Sequence, residues 1–137
     1  MKAYLIDPAS KEIIIVDFPT KNSKGLDDVD TELASIYANL KCNTIDIVRF
    51  CPSHFLFVDD NGLLGDLKKQ SFFTIKGYPG ILAGRALMLR QGKDGDSESP
   101  TFPIDLIREN VAWLTLDDCM AMSGGKFPPK IQVTFFK

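Results

Sequence analysis

No apolar run in this sequence approaches the ~18 residues that a membrane-crossing helix needs, so no membrane partner is expected. A basic surplus is also missing. Sixteen Lys and Arg stand against 18 Asp and Glu, for a formal net charge of -2. Proteins whose main work is holding phosphate backbones carry the opposite balance, which disfavours nucleic acid as a partner. Histidine occurs once, at His54, and cysteine three times, at Cys42, Cys51 and Cys119, with no CxxC pair. A closed zinc centre needs four N or S donors at short spacings. No metal is therefore expected, and the odd number of cysteines reads as free thiols in a reducing compartment. The opening "MKAYLIDPASKEI" has no apolar signal core, so the expected location is the cytoplasm. No GxSxG, HExxH, P-loop or kinase signature occurs. No catalytic residue and no cofactor are assigned.

What is present points to a packed core. Hydrophobic residues make up 45%, and ten phenylalanines outnumber one tryptophan and three tyrosines. "KAYLID" and "EIIIVDF" read as a hairpin around Pro8 and Ser10. In "DDVDTELASIYANLKCN", Val29, Leu33, Ile36, Tyr37 and Leu40 share one helical face. Acids crowd its start, and Lys41 and Asn43 suit its end. "TIDIVRF", with Ile45 and Ile47 in alternation, and "HFLFVDD" read as two further strands. "FFTIKGYPG" leads into "RALMLRQG", a buried strand, and "KDGDSESPT" is a loop. "PIDLIREN" starts a short helix near Pro103, "VAWLTL" is a strand, "DDCMAMSGGKFPPK" is mostly loop, and "IQVTFF" (Ile131 to Phe136) is a final strand. The expected fold is α+β. It is a single domain over 1–137 with a mainly antiparallel sheet, N-terminal β-β-α-β-β order, one main amphipathic helix and a second short one.

"FVDDNGLL" invites a calcium-loop reading. Counted back from Gly62, however, the first ligand position falls on Phe57 and the closing glutamate position on Lys68. A hairpin turn remains. Gly77, Gly80 and Gly84 form GxxGxxxG, which is neither a dinucleotide fingerprint nor a P-loop. Its glycines read first as supports for positive φ or close packing. Around them Lys76, Tyr78 and Arg85 are the candidate ligand-binding residues, two cations and a stacking ring on a glycine frame.

"MKAYLIDPASKEIIIVD", "ELASIYANLKCNTIDIVRF", "FVDDNGLL" and "FFTIKGYPGILAGRALML" follow one another in an order that resembles an uncharacterised family of small phage, plasmid and conjugative-element proteins, a domain of unknown function. The resemblance covers Met1 to Leu114 and leaves 115–137 as a C-terminal extension ending in a strand. It implies a mobile genetic setting, and the host cytoplasm as the place of action, but no functional residue. Three functions stay open. The first is a non-enzymatic binding protein, such as an anti-defence inhibitor, that holds a host protein or sequesters a small nucleotide signal. The second is a small enzyme acting on nucleotides or nucleic acid, with Asp59, Asp60, His54 or the Asp94–Glu98 loop converging on Arg85. The third is a structural or assembly role as a homo-oligomer.

Overall fold

The computed structural model describes residues 1–21, 24–26 and 28–125. The strand expected at Ile131 to Phe136 lies outside them. Strands β1 (Lys2–Asp7) and β2 (Glu12–Asp17) form the expected antiparallel hairpin, with Asp7 opposite Glu12. Helix α1 (Val29–Leu40) follows Asp28, whose extended backbone marks the cap and whose carboxylate accepts the Thr31 hydroxyl at 2.9 Å. Asp30 and Glu32 occupy its first turn, where the helix dipole favours negative charge. Lys41, at φ 56°, takes the left-handed position that ends the helix. Strands β3 (Ile45–Arg49) and β4 (His54–Asp59) complete the β-β-α-β-β order.

The chain continues through a 3₁₀ turn at Leu67–Lys69, β5 (Phe72–Ile75), β6 (Leu82–Ala83), β7 (Ala86–Gln91), β8 (Ser97–Glu98), α2 (Ile104–Glu109), β9 (Val111–Leu114) and α3 (Leu116–Met122). The fold is α+β, and among the described residues every strand pairing is antiparallel. One sheet runs β2-β1-β7-β4-β3, with β8 added beside β7; a smaller one runs β6-β5-β9.

The inner strands of the large sheet are apolar on both faces because both faces are covered. On one side Leu5, Phe55, Leu87 and Leu89 pack with Ile36 and Leu40 of α1. On the other, Tyr4, Ile6, Leu56 and Met88 pack with Phe73 and Ile75 of the small sheet and Ile107 of α2. The far side of the small sheet, through Phe72 and Ala83, packs on Cys119 of α3.

Two local expectations are corrected. "LDDCMAM" is a helix rather than loop, held by a capping box. The Thr115 hydroxyl accepts the Asp118 N–H at 3.1 Å, and the Asp118 carboxylate accepts the Thr115 N–H at 2.9 Å. In β3 the buried residue is Val48, while Ile47 is 48% exposed. β3 is the last strand of its sheet, and Ile47 lies on the α1 side, where no described residue covers it fully. A smaller change is that Ser97 and Glu98, expected in a loop, pair with β7.

Candidate binding cleft

The hairpin of β3 and β4 sets one wall of a large cleft. The Asp-Asn-Gly turn that follows β4 is not the expected hairpin turn, since β4 pairs with β3 and β7 and not with the next strand, β5. It is locked by local hydrogen bonds. The Asp59 carboxylate accepts the Asn61 N–H at 2.9 Å, and the Asn61 side-chain amide donates to the Thr44 hydroxyl at 2.9 Å. This engages the Asp59 carboxylate, one of the groups that a calcium loop would have offered to a cation. Beyond the turn, Gly62 runs against β6. A Cβ there would stand 2.8 Å from the Ala83 carbonyl oxygen, so only glycine permits this approach. The turn is thereby pinned to the small sheet, and a cleft of about 770 Å³ opens between the two sheets.

The buried residues Val48, Val58, Leu82 and Ala83 form the floor of the cleft. Exposed Asp46 and Asp60 stand at its rim with Leu64, which is 66% exposed. Tyr78 and Pro79 line the opposite wall. Among the described residues no lysine or arginine lines this cleft, so its carboxylates have no cationic neighbour within it.

Lys76, Tyr78 and Arg85 do not share one cleft. Tyr78 lines the large one and packs on the core between the sheets. Lys76 is exposed, and its backbone N–H bonds to the Asn110 carbonyl at 3.0 Å. Arg85 lies on the α1 side of the large sheet, in a separate cavity of about 310 Å³. There its guanidinium sits 3.2 Å from the Asp7 carboxylate and donates to the Asn39 carbonyl at 3.0 Å, joining the first hairpin to the end of α1. The glycines serve the backbone, as their first reading has it. Gly77 and Gly84 sit at φ +102° and +80°, and the Tyr78 ring lies against Gly80, where a Cβ would stand 2.7 Å from it.

The residues proposed to converge on Arg85 are mostly far from it. Strand pairing sets His54 opposite Arg90 and Val58 opposite Ala86. Arg85 and His54 thus lie at opposite ends of β4 and β7, roughly 17 Å apart at ~3.4 Å per residue. The Asp94–Glu98 loop lies at the His54 end, where Glu98 pairs with Arg90. Asp59 alone of the set shares the Arg85 cavity.

His54 is 1% exposed, stacked on Phe102 with ring centroids 4.1 Å apart. Its Nε2 accepts the Thr101 N–H at 3.1 Å, which leaves the ring proton on Nδ1 to be donated to the Ser53 hydroxyl at 2.8 Å. A base acting on Ser53 would need a bare nitrogen at that position, so this pair is built to hold the 99–102 segment rather than to activate a nucleophile. Burial, and then the neighbouring Arg90 charge, holds the imidazole below the ordinary histidine range. The unfolded chain therefore binds a proton that the folded chain refuses, and stability falls as pH drops through about 6.5 toward the lower folded value. His54→Gln should flatten the fall in Tm between about pH 7 and about pH 5. An unchanged slope in the variant would place that proton uptake elsewhere. Asp17 and Asp118 are held below the ordinary carboxylate range by hydrogen bonds from the Lys2 side chain and the Thr115 N–H. They lose their contribution only at lower pH.

Burial, and then a nearby carboxylate, raises the Cys42 and Cys119 thiols, which keeps both protonated and poorly nucleophilic. All three cysteines are free. Among the described residues no group of three or more His, Cys, Asp or Glu is placed to hold a metal ion. The sequence reading passed over Asp46 and Leu64, and grouped Asp60 with Arg85 rather than with them. The available signal was a carboxylate inside "TIDIVRF" and an exposed leucine after a turn, both of which also fit an ordinary edge strand.

Across 110 residues the chain is 31% identical to an uncharacterised protein, y4iR, of Sinorhizobium fredii (strain NBRC 101917 / NGR234). The match covers 80% of this chain and 59% of that protein, so the chain spans less than two thirds of its relative's length. No family model matches the sequence, and no solved structure does.

Proposed function

We propose that this is a non-enzymatic binding protein of phage or mobile-element origin that grips a host protein, with anti-defence inhibition as its biological role. The observation that carries this reading is the large cleft, an apolar floor under a rim of unneutralised carboxylates. A protein segment supplies both apolar side chains and compensating cations. A nucleotide signal brings phosphates, which Asp46, Asp59 and Asp60 would repel. The cation that could have received a phosphate, Arg85, is engaged with Asp7 on the far side of the sheet. The origin rests on the resemblance of "LIDP", "VDDNGLL" and "GYP…AGRAL" to mobile-element proteins.

The test is capture from a lysate of the host bacterium, with the wild-type protein and the Asp46→Lys, Asp60→Lys double variant as baits. The expected result is a protein retained by the wild type and lost from the variant, with no thermal shift of the wild type on adding nucleotides. A thermal shift with nucleotides, or a catch identical for the two baits, would overturn the reading.

A further inference from the structure

The cleft opens beside a strand edge whose backbone groups are turned outward, and the pairing register shows which ones. The Asp60 N–H donates to the Thr44 carbonyl at 3.3 Å, so those two residues stand at a bonded position of the β3–β4 register. Bonded and non-bonded pairs alternate in an antiparallel ladder. With Ile45 opposite Asp59 and Ile47 opposite Phe57, the backbone groups of Ile45, Ile47 and Arg49 point away from β4. β3 is terminal in its sheet, and among the described residues no strand pairs on its outer side. The Ile47 N–H instead accepts cover from the Asp46 carboxylate, to which it donates at 2.8 Å. Its side chain is 48% exposed.

We infer that this edge receives an extended segment of the partner protein as an added strand, with apolar residues and a Lys or Arg together on the side that faces the cleft. The inference rests on the reading that the cleft grips a protein. Asp46 and Val48 place their side chains on the cleft side of β3. Every second side chain of an added strand would point to the same side. An apolar one there meets Leu64 and Tyr78, and a cationic one meets Asp46 and Asp60 at the turn end. At the opposite end Arg49 holds positive charge, bonded to Gln91 at 3.0 Å, and this fixes the segment's basic residues at the Asp46 end. Residues of the other parity cover Ile47. An incoming amide carbonyl takes the Ile47 N–H, which frees Asp46 for the cation.

The probe is a synthetic eight-residue peptide in which every second residue is valine or phenylalanine, save for lysine in that parity at one end, with threonine between them, titrated into the full chain and followed by calorimetry. A second peptide has the same charge but carries two prolines, which cannot pair with a strand edge. The first should bind at least about tenfold more tightly than the second, and its affinity should fall with added salt. Ile47→Pro removes an outward donor and the exposed isoleucine side chain but no bond to β4, so it should keep the native circular dichroism and lose the peptide by a similar factor. Equal binding of the two peptides, or full binding by a folded Ile47→Pro variant, would overturn strand addition. So would a chain that is dimeric in solution and yields to neither peptide, which would make a second copy the occupant. If the peptides fail while lysate capture still depends on Asp46 and Asp60, this inference falls and the protein-binding reading stands. If both fail, both fall.

Discussion

Gly77→Ala should cost about 3–5 kcal/mol of folding stability, far more than an exposed turn substitution normally does. Two independent obstacles meet at this residue. Its φ of +102° lies where side chains other than hydrogen are strained. A Cβ built there would also overlap the Phe50 carbonyl oxygen and stand 3.2 Å from the carbonyl carbon. Backbone cannot swing aside as a side-chain tip can, so either the Ile75–Tyr78 turn or the loop after β3 must move. The turn is held by the Tyr78 N–H on the Ile75 carbonyl at 3.1 Å, and Phe50 packs on the core between the sheets. Movement of either disturbs the cleft wall that carries Tyr78. Gly80→Ala meets only the Tyr78 ring, which can rotate away, and should cost less. Urea unfolding of the two variants gives the comparison. A Gly77→Ala loss under about 1 kcal/mol would mean that the turn and the Phe50 loop do not meet as described.

The same stretch shows where sequence reading succeeds and where it stops. Elements made by local rules were legible. The apolar stripe of α1, the β-branched run of β2 and the unbroken apolar "ALML" of β7 are each patterns carried by near neighbours in the chain. α3 was hidden because only Cys119 of its seven residues is buried, and its aspartates and following glycines imitate a loop. Its one clear sign was the Thr115 to Asp118 spacing. The separation of Tyr78 from Arg85 had no local signature at all. Between them the chain leaves the small sheet at β6 and enters the large one at β7. That change of sheet puts Tyr78 in the core between the sheets and Arg85 beside α1. The carboxylate rim was illegible for a related reason. Asp46 and Asp60 are 14 positions apart and meet only through the β3–β4 register.

Phe73→Ala should cost about 3–5 kcal/mol, and more than Phe72→Ala, although both side chains are fully buried. The two rings lie on opposite faces of β5, the middle strand of the small sheet. Phe73 points into the space between the sheets. It meets Trp113 edge-on at 6.4 Å and shares a cluster with Tyr4, Leu56 and Met88. Its neighbours are tied into two hydrogen-bonded sheets, which cannot close on the vacated volume without breaking register. Phe72 faces Cys119 and Leu116 of α3, a helix of seven residues that can settle inward and recover part of the loss. The ranking is therefore set by how freely each neighbour can collapse rather than by the area of the ring. Removing Phe73 also loosens the spacing of the sheets whose gap forms the cleft, so the variant should lose partner capture even at temperatures where it stays folded. Paired unfolding curves and captures for the two variants test this. Equal stability losses, or full capture by Phe73→Ala, would show that the sheet-to-sheet packing does not set the geometry of the cleft.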